Sequence, residues 1–155
     1  MNEIIRLFLK ESVALELNIG DLYQLFATKF SKDYTFWWNL SIEEMNHAAI
    51  IESIDDVFLT DSILPPESIE NQTAELQKKN LFIRDQITKC RNTLMTRSDA
   101  FRFAFELENS IGESHFELFM TGQPISTVVR IFQKLNGEDI NHAKRMVNYM
   151  AENGI

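Results

Sequence analysis

The chain has 155 residues, a single cysteine and a net charge of −8, from 23 acidic against 15 basic residues. That length fits one domain able to bury about two-thirds of its unfolded surface. One cysteine excludes an internal disulfide and any CxxC pair for zinc or rubredoxin-type iron. The acidic balance argues against nucleic acid and anionic membrane as partners, and suits a soluble protein that attracts cations.

No stretch approaches the ~20 apolar residues of a membrane span. The opening MNEIIRLFLKES lacks the apolar run of a signal peptide. A cytoplasmic protein is therefore expected, with Cys90 an ordinary thiol in a reducing compartment. Five glycines and three prolines favour long helices.

The first helical segment runs from about Glu3 to Phe30. Steps of three and four put Ile5, Leu9, Ser12, Glu16, Ile19, Tyr23, Phe26 and Phe30 on one stripe. The second starts near Ser31 or Asp33, either of which can cap its first turn. Its stripe is Trp37, Leu40, Glu44, His47, Ile51, Ile54 and Phe58. TDSILPPESIENQ then breaks the pattern, because Pro65 and Pro66 cannot sit inside a helix, although a helix can start directly after them. From there to about Arg97 the sequence is polar, with Leu76, Leu81, Ile83, Ile87 and Leu94 scattered through it. This reads as a crossover holding one or two shorter helices.

The third long helix runs from about Ser98, its expected cap, to Thr121, with Gly122 and Pro124 in stop order. Phe101, Phe105, Glu108, Ile111, His115 and Leu118 form its stripe. The fourth runs from about Ile125 to Ala151 and closes at Asn153-Gly154. Its stripe is Val128, Phe132, Leu135, Asp139, His142, Met146 and Tyr149. Helical hairpins at 3–58 and 98–152, joined by a crossover at 59–97, predict one all-α domain over residues 1–155. Its expected architecture is a four-helix bundle of the crossover type.

A repeat links the two hairpins. LSIEEMNHA at 40–48 returns as LNGEDINHA at 135–143, with Glu43 matched by Glu138, Glu44 by Asp139 and His47 by His142. LELNIGD at 15–21 likewise lies over LENSIGE at 107–113, which puts Glu16 on Glu108 and Tyr23 on His115. A duplicated hairpin gives the bundle approximate two-fold symmetry.

The carboxylates Glu16, Glu44, Glu108 and Asp139 each occupy the middle of an apolar stripe, and His47 and His142 follow one turn after the second and fourth. A lone buried carboxylate is costly, and four in one core would repel. Bridging cations remove both problems. In the ExxH spacing, residues three apart share a helix face, so one carboxylate can bridge two metals while the imidazole caps one of them. Mixed oxygen and nitrogen ligands suit iron(II) or manganese(II), and zinc or cobalt also fit.

With these six residues, the phrase ALELNIGDLY and Tyr23 seven residues after Glu16, the chain resembles the ferritin-like superfamily. Within it, the likeness is to rubrerythrin-type and bacterioferritin-type di-iron proteins, and it covers the four long helices. The resemblance implies two irons, or manganese, or a mixed pair. Glu44 and Asp139 would bridge them, Glu16 and Glu108 would be terminal ligands, and His47 and His142 would complete one metal each. Asp139 stands where the family usually has Glu, and Glu138 beside it is swung about 100° away. Phe105 stands where rubrerythrins carry an extra glutamate, and the rubredoxin cysteines are absent, so electrons would come from an external donor or from ferrous iron.

The resemblance implies an oxidoreductase that reduces peroxide or dioxygen. The rival expectations are iron storage in a many-subunit cage and a bundle holding a non-catalytic or manganese pair. Tyr23 and His115 either donate to ligand carboxylates or pass electrons, or are satisfied core residues; His115 can also be read as a seventh ligand. Asp21 and Glu113 are candidates for an outer acidic approach, and Glu106 is expected to face solvent. Related bundles commonly pair, so a homodimer is expected, with Trp38 and the crossover at the contact.

Overall fold

Proline marks where helices begin, and long stripes without glycine keep them running. The computed structural model describes residues 2–54, 66–115 and 127–155, apart from the side chains of Asn2, Pro66 and residues 111–115. These form α1 (Asn2–Lys29), a 3-10 turn (Ser31–Asp33), α2 (Tyr34–Glu52), α3 (Pro66–Asn92), α4 (Arg97–His115) and α5 (Thr127–Asn153). Among the described residues there is no strand, and no helix is long and apolar enough to cross a membrane.

The expected stripes are the buried faces. Every stripe residue of α1, α2, α4 and α5 whose side chain is described is buried, except Phe30, Phe105 and Tyr149, which are half-buried. α1 and α2 pack as a tight hairpin. Gly20 lies at their contact: a Cβ there would meet the Ser41 carbonyl oxygen at 3.4 Å and Glu44 Cβ at 3.5 Å, ordinary packing distances. The two hairpins meet through aromatic pairs at both ends of the core. Phe8 packs on Phe132 with centroids 5.8 Å apart, and Trp37 on Phe101 at 4.3 Å.

The crossover departs from expectation. It carries one helix of 27 residues, as long as α5. Its buried positions, Ile69, Thr73, Leu76, Asn80, Ile83, Ile87 and Cys90, step by four and three along a seam against α1. Two of those positions are polar, so the seam reads as scattered in sequence, while the apolar Leu81 and Leu94 are exposed. Asn80 clamps the seam: it accepts from Asn18 Nδ2 at 2.8 Å and donates to the Glu11 carbonyl at 3.0 Å.

The caps also differ. Asp33 occupies the N-cap of α2 but makes no capping bond. Its fully buried carboxylate instead takes Arg97 Nε and Nη2, both at 2.6 Å, and the Tyr149 hydroxyl at 2.9 Å. This bolts the α1–α2 turn to the start of α4 and the end of α5. Thr96, not Ser98, caps α4, accepting the Asp99 N–H at 3.1 Å. α2 stops at Glu52, before Ile54, although Ile54 stays buried. At the other end, Gly154 (φ 65°) and the Ile155 N–H bonded to the Met150 carbonyl at 3.0 Å close α5 with a Schellman motif. Phe58, Leu118, the expected stop at Thr121–Pro124 and the expected start at Ile125 lie outside the described residues.

Candidate metal centre

Helical registers bring six ionisable side chains to one level of the core: Glu16 from α1, Glu44 and His47 from α2, Glu108 from α4, Asp139 and His142 from α5. All are between 1% and 3% exposed. The two imidazoles lie parallel, 5.5 Å between centroids and 6° between planes. Glu44 sits between them. Its Oε2 is 3.2 Å from His47 Nδ1, and its Oε1 is 2.9 Å from His142 Nδ1. Around the same two nitrogens, Glu16 Oε2 lies 3.8 Å and Asp139 Oδ1 3.7 Å from His47 Nδ1, and Glu108 Oε1 lies 3.6 Å from His142 Nδ1. Two overlapping triads result, Glu16–Glu44–His47 and Glu44–Asp139–His142, with Glu44 common to both and the ligand atoms of each within 4.8 Å of one another. The Tyr23 hydroxyl donates to Glu108 Oε1.

The far side of each ring is tied to the opposite hairpin. His47 Nε2 meets Glu138 Oε2 at 2.8 Å, and His142 Nε2 meets Glu43 Oε2 at 2.9 Å. Arg145 grips Glu43 through Nη1 at 2.6 Å and Nη2 at 3.1 Å, and Lys134 Nζ lies 3.5 Å from Glu138. An ionised carboxylate can only accept, so Nε2 carries the hydrogen, and a neutral ring then presents its Nδ1 lone pair to the centre. Glu43 was not among the sequence candidates, and Glu138 entered only as the neighbour of Asp139 that points elsewhere. The signal was present, because the repeat matches Glu43 with Glu138 as closely as it matches the histidines.

Whether the residues suit a cation is decided by what they leave unsatisfied. Both Asp139 oxygens, Glu44 Oε1 and the Nδ1 atoms of both histidines are buried with no hydrogen-bond partner among the described residues. The close Glu44–His142 approach lacks hydrogen-bond alignment. Groups left this way cost about 1–3 kcal/mol each, and a cation satisfies several at once. Carboxylate oxygen with imidazole nitrogen is a donor set open to several divalent metals. The cluster can hold a metal ion.

Without a cation the cluster takes up protons instead. Burial, with the charge of Glu44 adding to it, pushes Glu16 up to about 8 against the pull of His47. Burial and the charges of Glu16, Glu108 and Glu44 hold Asp139 well above the usual carboxylate range, and burial with Glu44 raises Glu108. Burial also works to raise Glu44, but its contacts with His142 and His47 outweigh that and bring it down to about 2. Burial opposes charge on His47, yet Glu16 and Glu44 push it up to about 11, and Glu108, Glu43 and Glu44 raise His142 in the same way. Glu43, held by His142 and Arg145, falls to about 2.

Of the other candidates, His115 ends α4 and its side chain lies outside the described residues, as does that of Glu113. Asp21 and Glu106 are exposed. Trp38 is exposed and stacks on Tyr34, 5.8 Å and 10° apart. No family model matches the chain, and neither a curated protein nor a solved structure matches it.

Proposed function

We propose that the chain is a ferritin-like di-iron carboxylate protein of the rubrerythrin type, which reduces peroxide or dioxygen as ferrous iron is oxidised. In this reading α1, α2, α4 and α5 are the four-helix bundle and α3 belongs to the crossover. The observation that carries it is Glu44 between two inward-facing Nδ1 atoms, with each imidazole held from behind by a glutamate of the other hairpin.

Two bound irons would supply electrons for the reduction of a peroxide or dioxygen. Glu16, Glu44 and His47 would hold one, and Glu44, Asp139 and His142 the other, with Glu108 beside the second. Asp139 lacks one methylene, yet its Oδ1 reaches within 3.7 Å of His47 across the centre, which supports a shared position next to Glu44. Glu43 and Glu138 fix both rings and, at 36% and 39% exposure, connect the buried pair to solvent. Tyr23 fixes Glu108. Near-complete burial keeps bulk water from the reacting oxygens.

The test is anaerobic ferrous titration with metal analysis, followed by mixing with hydrogen peroxide or oxygen. Two irons per chain and consumption of either oxidant are expected. Uptake far below two equivalents would end the dinuclear reading, and uptake of many irons per chain would replace it with storage.

A further inference from the structure

We infer that Tyr149, Trp37 and Tyr23 form an electron path from the surface at the α1–α2 turn to the candidate metal centre; the inference rests on the di-iron reading above. The chain has only three tyrosines and two tryptophans. Three of these five, the side chains most easily oxidised by one electron, stand in one file. Tyr23 is fully buried and bonded to Glu108, and its ring lies 5.5 Å from that of Trp37. Trp37 packs on Phe101 at 4.3 Å and Phe36 at 5.3 Å, and these two rings hold Tyr149 at 5.4 Å and 4.2 Å. The half-buried Tyr149 donates to Asp33 Oδ1 at 2.9 Å, beside Arg97. Trp37 and Phe101 are buried and Phe36 is half-buried.

Packing alone does not account for the two hydroxyls. Phenylalanine would fill both places, as Phe36 and Phe101 do between them. A phenol that loses an electron becomes a strong acid and needs a base at hydrogen-bond distance. Each tyrosine has one, Glu108 Oε1 for Tyr23 and Asp33 Oδ1 for Tyr149. The Trp37 indole N–H is buried with no acceptor among the described residues, so oxidised Trp37 keeps its proton and serves as a transit point.

The transfer balances. Dioxygen takes four electrons and two ferrous irons would supply only two, so a third leaves Tyr23 toward the centre while the phenolic proton passes to Glu108, leaving a neutral tyrosyl radical. An electron from Trp37 refills Tyr23 and that proton returns. An electron from Tyr149 refills Trp37, and the Tyr149 proton passes to Asp33. A one-electron donor of the ascorbate or reduced-flavin class then restores Tyr149, and Asp33 gives the proton back.

The experiment uses the full chain carrying Tyr34→Phe and Trp38→Phe, which leaves Tyr23, Trp37 and Tyr149 as the only tyrosines and tryptophan. After iron content is measured, the ferrous protein is mixed with oxygenated buffer, freeze-quenched and examined by electron paramagnetic resonance. A tyrosyl radical is expected that Tyr149→Phe removes or relocates to Tyr23. The same variant should slow ascorbate reduction of the oxidised protein at least tenfold at unchanged iron content. Trp37→Phe should confine oxidation products, mapped by peptide mass spectrometry, to Tyr23. Tyr149→Phe deletes one hydroxyl near the surface, so it decides the matter even where Trp37→Phe fails to fold. Iron bound and oxidised, with radical and ascorbate rate unchanged in Tyr149→Phe, overturns the path and leaves the metal reading intact. Failure to bind iron overturns both.

Discussion

Glu44→Gln keeps the shape of the side chain and removes its charge. In the metal-free chain Glu44 lies 3.2 Å and 2.9 Å from the two Nδ1 atoms. At an effective dielectric of about 20, each such pair attracts by ~5–6 kcal/mol. The cost of desolvating the carboxylate cancels much of that, and removing one partner of a buried pair nets about 3–5 kcal/mol. The imidazoles, 5.5 Å apart, would also repel by ~3 kcal/mol at the same dielectric if both stayed charged. Proton loss from one ring limits that penalty. At roughly 2–4 °C per kcal/mol for a chain of this size, the metal-free variant should melt ~10 °C lower. Manganese(II) at a thousand times its Kd should stabilise the native chain by about 4 kcal/mol. The variant, lacking the ligand common to both triads, should lose most of that rise. Circular dichroism melts of anaerobic samples with and without manganese, with metal analysis alongside, measure both effects. An unchanged metal-free Tm would refute the placement of Glu44 as the charge holding the two rings. Two manganese ions per variant chain would refute its shared position.

Metal uptake at pH 7 should release protons, because the metal-free chain holds His47 up to about 11 and Glu16 up to about 8. Affinity should therefore rise with pH, with the Glu16 contribution to release fading through about pH 8 and the His47 contribution only toward pH 11; an indicator dye in weak buffer counts the protons. Glu43→Gln and Glu138→Gln should each weaken manganese binding about 10–100-fold with little change in Tm, as read by calorimetry. Arg97→Ala strands the buried Asp33 carboxylate. Since Arg97 is 30% exposed, the loss is discounted to about 2–3 kcal/mol, a Tm lower by ~5–10 °C at unchanged metal content.

The stripes were legible because charge interrupting an apolar face is a strong signal. Glu16, Glu44, Glu108 and Asp139 each break a run that is otherwise buried, and the structure brings all four together with His47 and His142. What escaped was less local. Asp33 looks like a cap because Asp at a helix start usually is one; its use as a buried anchor depends on Arg97 and Tyr149, which sequence distance hides. The α3 seam escaped because Thr73 and Asn80 occupy two of its buried positions, satisfied by the Ile69 carbonyl and by α1. Glu43 and Glu138 face the rim, so their own helices predict solvent, and only the opposite hairpin gives them a partner.

The exchange of partners, His47 to Glu138 and His142 to Glu43, means that neither hairpin alone can orient its own imidazole. Two copies of one hairpin related by a dyad would trade the same contacts. The chain thus holds, in one polypeptide, an interface of the kind that joins subunits, and affinity for a metal at this cluster would be in part an association energy between its halves. Cutting the chain within the crossover should therefore yield two fragments whose assembly depends on the metal, each acting as cofactor chaperone to the other.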